Sequence, residues 1–531
     1  HMSDRQPNSY FRGMGIHHTF NRAMTIHGTF DALFEWNVAY RCEGHNFFIE
    51  DGFEENNTIQ YNLGIFARPS SSLLNADQLA TTFWITNTKN TIRHNHAAGG
   101  ANFGYWINPP QNHHHGACDW FIQEGYTRCP RNAYVGEFFN NTAHSMGEYG
   151  FWIFEEFIPS ATDCGGTMGA DSQHKFDTPI AWHCKRGFEV TSGGNGVQIW
   201  NGVFSDNTIS NFAFMESRHE LFGELSYGMK DGISIGYSNA HPSLSRCTDI
   251  GIETPWQVGS MDIDGIRFFN FDKNNCKAID ACYASDDQDC GFTAEFRRVS
   301  YTNSPNRFRA KWPYVTILHD TDGTLTAPLN GNGDGGDGFG RMLGKPGSKV
   351  VASASFYDSA KCADGTGGGW SKGAASSVCD PDVAFHRLGL NNAMAATKGR
   401  NLNMTNIYGN SKGFFRECRS THGKGWMVIL PTNAETYIHW DGLAHVNNIS
   451  YSANMYDVGP TKQVWLSHEI QRVDYTTGLG TEITDALPSH GDGNKAYYYG
   501  SDSLTVGAKP RLAIMFDRLD CVSGSTRSST P

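Results

Sequence analysis

Charged residues and long apolar runs are both scarce in this 531-residue sequence. Asp, Glu, Lys and Arg make up only 18% of it. No run of about 18 apolar residues occurs, so we expect no membrane-spanning helix. The 54 acidic residues outnumber the 42 basic ones, and the net charge of −12 argues against a nucleic-acid partner. Because 39% of the residues are apolar, the chain can nevertheless build a large core.

A Cys-x-x-Cys pair is also absent, although the sequence contains 13 cysteines. This absence excludes the common zinc-binding patterns, which use such pairs. Three close pairs in polar or glycine-rich segments instead predict disulfides: Cys118 with Cys129, Cys282 with Cys290, and Cys362 with Cys379. Asn-x-Ser/Thr sequons begin at Asn56, Asn140, Asn403 and Asn448. Cysteine pairs and sequons together indicate a secreted, extracellular protein.

The sequence does contain a recurring short strand that ends in asparagine. Alternating residues lead to Asn37, Asn62 and Asn95, which are 25 and 33 positions apart, and later echoes end at Asn211 and Asn270. A coil of about twenty residues with loop insertions fits this spacing. An asparagine at the coil end can bend the chain while its amide pairs with the coil above or below. We therefore predict a parallel β-helix; a β-sandwich with coincidental asparagines is the alternative.

The composition predicts an all-β chain in three parts. We expect the β-helix over residues 1–310 and a β-rich connecting region with Gly/Asp-rich loops over 311–400. Apolar segments such as 426–431 and 463–466 are typical of antiparallel strands. They predict a smaller, sandwich-like antiparallel module over 401–531.

The densest group of ionisable residues lies between positions 45 and 55, and His27 lies in a segment shortly before it. Clustered carboxylates can form an acid–base pair, bind a hard cation such as Ca²⁺, or cap turns. We expect catalytic roles for His27, His45, Glu50 and Asp51. We expect a calcium site at Asp51, Glu54 and Glu55.

Histidines and aromatic residues supply further candidates. His94 and His96 stand two positions apart and therefore share one face of a strand, while His144 follows a later asparagine pair. Large rings are mostly core residues, but some at coil edges can stack against sugars. The predicted catalytic set therefore also includes His94 and His144. The predicted substrate-binding residues are Trp84, Arg93, Tyr105 and Trp106.

Several segments carry a recognisable family pattern. They are RAMTIHGT at 22–29, GHNFFIEDG at 44–52, TFWITN at 82–87, AAGG at 97–100, FGYW at 103–106 and FNNTAHS at 139–145. The pattern resembles the cell-migration-inducing hyaluronidase family, which includes the transmembrane hyaluronidase and fibrocystin-L.

That resemblance implies a right-handed parallel β-helix followed by β-rich modules that act on or bind extracellular glycans. Active members of the family depolymerise hyaluronan and are associated with calcium, whereas fibrocystin-like members are not established enzymes. The family's glycine-rich N-terminal domain has no counterpart in this sequence.

Three functions follow as hypotheses. The leading one is a secreted enzyme that degrades an acidic polysaccharide in a groove of the β-helix. As a hydrolase it would use one carboxylic acid among Glu50, Asp51, Glu54 and Glu55 to protonate the leaving oxygen, and a second carboxylate to activate water or attack. As a uronic-acid polysaccharide lyase it would use His27 or His45 as the base, with a cation or an arginine neutralising the substrate carboxylate. The third hypothesis is a non-catalytic glycan-binding or adhesion module.

Overall fold

The computed structural model of the protein is built mainly from short β-strands. It describes residues 7–71, 78–110, 129–154, 157–159, 174–192, 197–216, 227–236, 249–254, 260–273, 276–281, 293–310, 317–329, 342–351, 356–364, 369–372, 376–383, 385–391 and separate segments between 402 and 517. A short 3₁₀ helix, Pro130–Asn132, lies between two strands. Across the part of the chain described, no helix has the length and apolar character that crossing a membrane requires.

The strands of the first coils are β1 Tyr10–Arg12, β2 Gly15–His17, β3 Met24–Ile26, β4 Leu33–Glu35, β5 Val38–Tyr40, β6 Phe47–Ile49, β7 Thr58–Gln60, β8 Leu63–Ala67, β9 Thr81–Ile85, β10 Thr91–Arg93, β11 His96–Gly100 and β12 Phe103–Ile107. They are followed by β13 Glu137–Phe139, β14 Thr142–Met146, β15 Tyr149–Ile153, β16 His174–Asp177, β17 Ile180–Trp182, β18 Arg186–Ser192, β19 Val197–Trp200, β20 Val203–Ser205, β21 Ser210–Glu216, β22 Tyr227–Gly236, β23 Ile250–Glu253, β24 Ser260–Phe269, β25 Lys277–Ala281, β26 Thr293–Thr302, β27 Phe308–Ala310 and β28 Ile317–Asp320.

The remaining strands are β29 Ser348–Val351, β30 Cys362–Asp364, β31 Ser377–Cys379, β32 Phe385–Asn391, β33 Leu402–Asn406, β34 Gly409–Gly413, β35 Arg416–Ser420, β36 Gly423–Pro431, β37 Thr436–Trp440, β38 Ser452–Tyr456, β39 Gln463–Val473, β40 Gly480–Ile483 and β41 Arg511–Asp517.

Each early coil contributes three strands, and every strand pairs in parallel with its equivalent in the next coil. The first strands of the coils form one row (β1, β4, β7, β10, β13, β16, β19) and the second strands form another (β2, β5, β8, β11, β14, β17, β20). The third strands form a separate ten-strand sheet from β3 to β27. From β22 onward the first two strands of a coil fuse into one ten-residue strand, because β22 pairs with both β19 and β20. The parallel β-helix is confirmed.

The asparagines at the corner between the first and second strands of each coil form the expected ladder. Asn37 donates to Asn62 Oδ1 over 3.0 Å, and Asn62 donates to Asn95 Oδ1 over 3.0 Å. Asn95 continues the ladder to Asn141 Oδ1 over 3.2 Å. All four side chains are buried, so each amide satisfies a polar group of the coil beside it. Asn211 departs from the expectation, because it lies within strand β21 rather than at the corner after a strand.

Inward-facing rings fill the solenoid along the ten-strand sheet. Phe83, Tyr105, Phe151 and Phe188 stack from coil to coil with ring centroids 4.7, 4.7 and 5.4 Å apart. Burying one such side chain stabilises the fold by about 1.5–3 kcal/mol. The high aromatic content of the sequence therefore serves the core to a large extent.

After β28 the strand pairing becomes antiparallel. β29 pairs with β28 and β31, and a disulfide joins Cys362 of β30 to Cys379 of β31, as predicted. Cys118, Cys282 and Cys290 lie outside the described residues, so the other two predicted pairs stay predictions. Strands β32 to β41 form a four-stranded and a six-stranded antiparallel sheet, which confirms the antiparallel C-terminal region. The residue borders of the three parts stay predictions.

Candidate active site

The site lies where the first two strands of the ten-strand sheet end. β3 and β6 pair in register, with Ile26 opposite Ile49, so His27 after β3 lies beside Glu50 and Asp51 after β6. His27 Nδ1 is 2.9 Å from Glu50 Oε2 and 2.9 Å from Asp51 Oδ2. The side chains of His27, Glu50 and Asp51 are 19%, 29% and 10% exposed, while the contacting atoms His27 Nδ1 and Asp51 Oδ2 are themselves buried. The structure thus brings together three of the residues predicted to be catalytic.

Arg22 completes this cluster, although no prediction from the sequence included it. Its Nη1 donates to Glu50 Oε1 over 2.9 Å, and its guanidinium lies 3.7 Å from the centroid of the Phe48 ring. Glu50 therefore lies between an arginine and a histidine. Its position in the sequence could have indicated it. Arg22 lies two residues before β3, and Phe48 lies in β6, the strand that pairs with β3.

Glu54 connects the loop after β3 with the loop after β6. It is fully buried, and its carboxylate accepts hydrogen bonds from the backbone N–H groups of Gly28 at 3.0 Å, Gly52 at 3.0 Å and Asp51 at 3.2 Å. Gly28 and Gly52 have φ values of 54° and 86°, a region that favours glycine. Burial raises the pKa of Glu54 to about 7. Glu54 thus fixes the loop that carries Glu50 and Asp51, without facing solvent itself.

The predicted calcium ligands do not assemble as expected. Glu55 forms an ion pair with Lys89 at 3.1 Å, and the two oxygens of Glu54 already accept backbone N–H groups. The donor atoms that do lie within 4.8 Å of one another belong to His27, Asp51 and Glu54. Calcium prefers six to eight oxygen ligands, whereas an imidazole with carboxylates suits Zn²⁺ or a similar transition metal. Glu55 is therefore removed from the ligand set, and the donor set fits Ca²⁺ poorly.

His45 lies inside the structure and not in the cluster. It is fully buried, with its ring 5.0 Å from Phe48 and 4.7 Å from Trp84, and the Thr81 N–H donates to its Nδ1 over 3.1 Å. A substrate proton cannot reach it without rearrangement of these rings. The expectation that His45 is catalytic is therefore corrected: it supports the outer aromatic row.

An aromatic row extends from the site along the outer face of the ten-strand sheet. Phe48, Trp84, Trp106 and Trp152 pair in register, with ring centroids 5.6, 4.5 and 4.7 Å apart. Trp84 and Trp106 are 7% and 5% exposed, so they offer little ring surface to a sugar. Tyr105 points into the solenoid between Phe83 and Phe151 and is fully buried. Its predicted role in substrate binding is wrong, because strand alternation places it on the opposite face from Trp106.

The other predicted site residues lie on the first two rows of strands and do not join His27. Arg93 lies on β10, where its Nε donates to Gln60 Oε1 over 2.8 Å. His94 occupies the corner after β10, and its ring stacks on Tyr61. His144 lies on β14 and stacks on Trp182 at 4.6 Å. Burial lowers the pKa of His144, so its imidazole is neutral near pH 7.

Comparison with known proteins agrees with this architecture. The CEMIP β-helix family matches residues 1–151, the part that holds the cluster. Residues 1–151 are therefore similar to the CEMIP β-helix. The chain is 34% identical to human Fibrocystin-L over 513 residues, which is 92% of the chain and 11% of that relative. It is 32% identical to the human cell migration-inducing and hyaluronan-binding protein over 28% of the chain and 12% of that relative.

A zebrafish cell surface hyaluronidase is 30% identical over 27% of the chain and 12% of its own length. The resemblance expected from the sequence is therefore confirmed. The matched parts span about a tenth of the length of these curated relatives.

Proposed function

We propose that this chain is an extracellular glycan depolymerase of hyaluronidase type, with His27, Glu50 and Asp51 as its reacting groups. The observation that carries the proposal is the shared contact of His27 Nδ1 with both carboxylates at 2.9 Å, in a cluster whose Glu50 side chain is 29% exposed. The names of two relatives add support, since one is called hyaluronan-binding and another a hyaluronidase. The polymer is therefore proposed to be hyaluronan or a related acidic polysaccharide.

The spacing of the two carboxylates favours a hydrolase that attacks the sugar directly. Because one oxygen of each lies 2.9 Å from the same nitrogen, these oxygens are no more than about twice that distance apart. Retaining glycosidases hold their carboxyl groups about 5–5.5 Å apart, whereas inverting enzymes need about 6.5–9.5 Å to admit a water molecule. One carboxyl group gives its proton to the leaving oxygen as the glycosidic bond breaks, while the other, ionised, attacks the anomeric carbon to form a glycosyl ester. Water, deprotonated by the first carboxylate, then cleaves this ester and restores both groups. His27 holds both in position and exchanges a proton with either.

A bound cation is an alternative to proton exchange by His27. An acidic protein that cuts an acidic polymer benefits from a local positive charge, and Arg22 supplies one beside Glu50. His27 and Asp51, with Glu54 behind them, are the residues that would hold a metal ion. Such an ion would supply Lewis-acid stabilisation of charge on the substrate. The donor set favours Zn²⁺ or Mn²⁺ over Ca²⁺.

The test is to incubate the full chain with hyaluronan of defined length and follow polymer size, reducing ends and ultraviolet absorbance. We expect new reducing ends without the absorbance of an unsaturated uronic acid. Glu50→Gln and Asp51→Asn should each lower the rate at least a hundredfold. Glu148→Gln, which loses only the ion pair with Lys185, should keep the wild-type rate. Unsaturated products would show that the enzyme is a lyase and not a hydrolase. Full activity of both Glu50→Gln and Asp51→Asn would refute the proposed site.

The second candidate is a glycan-binding module without catalysis. Fibrocystin-L matches 92% of the chain, whereas the two hyaluronan-related relatives match little more than a quarter of it. Binding of hyaluronan with no reduction in its size, with or without added metal ions, would favour this candidate over the enzyme.

A further inference from the structure

One corner of the β-helix carries large rings where small residues are easier to place. At the corner between the first and second strands of each coil, one residue adopts a positive φ. The values are 71° for Gly13, 57° for Trp36, 54° for Tyr61, 54° for His94 and 50° for Asn140. Glycine and asparagine tolerate this region, while bulky side chains are strained there. The same corner has a positive φ in the next two coils, at Thr178 and Asn201, so this geometry belongs to the solenoid. Three successive coils place large rings at this corner.

The three rings form one continuous stack. Trp36 and Tyr61 are 4.6 Å apart with an interplanar angle of 5°, and Tyr61 and His94 are 4.9 Å apart with an angle of 2°. This spacing equals the distance between neighbouring strands, about 4.8 Å, so the ring planes are roughly perpendicular to the solenoid axis. At the far end Asn140 Nδ2 lies 2.9 Å from His94 Nδ1 and closes the stack with a polar group. The stack holds the Trp36 ring in one fixed orientation.

The other end of the stack is open. The coil before Trp36 carries Gly13 at the same corner, and a Cβ placed at Gly13 would meet no atom within 4 Å. Trp36 is 58% exposed, and among the described residues its ring contact is with Tyr61. One face of the indole is therefore covered by Tyr61, while the other faces solvent above Gly13.

Hydrogen-bonding groups lie on the strand residues that come directly before Gly13 and Trp36. Arg12 is the residue before Gly13, its side chain is 52% exposed, and it forms an ion pair with Glu35. Gln60 Nε2 donates to Glu35 over 2.6 Å, which continues the polar row on the outer face of the sheet. A guanidinium has five N–H donors, so Arg12 retains donors for a further partner. A flat apolar surface beside fixed donors matches a pyranose ring, which has a C–H face and a polar edge.

We propose that Trp36 is the stacking platform of a second glycan-binding site, separate from the His27 cluster. A pyranose unit of a polysaccharide packs on the open indole face, and Arg12 donates to a hydroxyl or carboxylate group at its edge. The choice of ligand class rests on the proposed function. The His27 cluster follows β3 and Trp36 follows β4, so the two sites flank the same first-row strand. The second site thus serves to hold polymer near the reacting groups.

The experiment uses the full chain and hyaluronan decasaccharide as the probe, with a neutral cello-oligosaccharide in parallel. Trp36→Asn is the test variant, because asparagine occupies the same corner at position 140 and suits the backbone there. Phe66→Asn is the matched control: Phe66 is 47% exposed with a φ of 56°, but it lies in β8, on the second row of strands. Calorimetric titration and thermal melting are recorded for each. Trp36→Phe, which keeps a ring, is the conservative variant.

We expect Trp36→Asn to weaken binding by about five- to tenfold. Trp36→Phe should be intermediate, and Phe66→Asn should bind like the wild type. Wild-type affinity in Trp36→Asn, or no binding of either sugar to the wild type, would overturn the inference. The two proposals fail differently: binding that depends on Trp36 without any cleavage sinks only the depolymerase, and cleavage with polymer affinity independent of Trp36 sinks only the second site.

Discussion

Protonation of Glu54 makes the stability of the β-helix depend on pH in a direction that can be measured. Burial raises its pKa from 4.5 to about 7 in the folded chain. Each unit corresponds to about 1.4 kcal/mol, so the shift is worth roughly 3 kcal/mol. Between these two pH values the folded chain retains a proton that the unfolded chain has lost. The contribution of Glu54 to the free energy of unfolding is therefore fully present below about pH 4.5 and is lost as the pH rises to about 7.

Glu54→Gln removes this titration. The amide also loses part of the acceptor capacity that now serves Gly28, Asp51 and Gly52, so the variant is less stable at acidic pH. We expect the difference in unfolding free energy between wild type and variant to shrink by roughly 3 kcal/mol from about pH 4.5 to pH 7. Urea denaturation followed by tryptophan fluorescence at several pH values measures this difference.

Glu55→Gln is the matched control, because it alters the neighbouring acid and its ion pair with Lys89 but leaves Glu54 in place. It should keep the pH dependence of the wild type. A constant difference between wild type and Glu54→Gln across the pH range would show that the backbone N–H groups keep Glu54 ionised. That result would refute the argument from burial.

Two further predictions concern the scaffold. Asn62→Ala removes a buried amide with partners in both neighbouring coils and should lower the free energy of unfolding by about 3–4 kcal/mol. Gln60→Ala, on the half-exposed face of the same coil, should lower it by less than about 1 kcal/mol. Equal unfolding free energies for the two variants would show that the ladder contributes nothing. Replacing Cys362 and Cys379 by serine opens a loop with a sequence separation of 17 and should lower the unfolding free energy of that region by about 3 kcal/mol. The prediction would be contradicted if the serine variant melted at the wild-type temperature, or if reducing the wild type did not change its melting temperature.

The features that the sequence predicts well are those that repeat. Asn37, Asn62 and Asn95 recur at coil length, and the ladder they form follows from one amide meeting the next. His27, Glu50 and Asp51 are also brought together as expected, because both loops follow strands that pair in register. Local spacing suffices in these cases, since each coil repeats the geometry of its neighbour.

The features that the sequence does not predict depend on which face of a strand turns inward. Tyr105 and Trp106 are adjacent and both aromatic, yet one fills the core and the other lies on the outer row. Glu54 is predicted from the sequence to be a metal ligand. Its partners are backbone N–H groups, and a sequence of side chains does not show such contacts. Arg22 precedes β3 and Glu50 follows β6, so their contact depends on the register in which these two strands pair.

The most direct test of the central claim is a single comparison of hyaluronan cleavage by the wild-type chain and by Asp51→Asn. Asparagine keeps the size of the side chain but cannot give or take a proton as the carboxyl group does. The account predicts new reducing ends with the wild type and at least a hundredfold fewer with the variant, at equal folding by circular dichroism. Equal cleavage by both chains, or none by the wild type with any added metal ion, would contradict it.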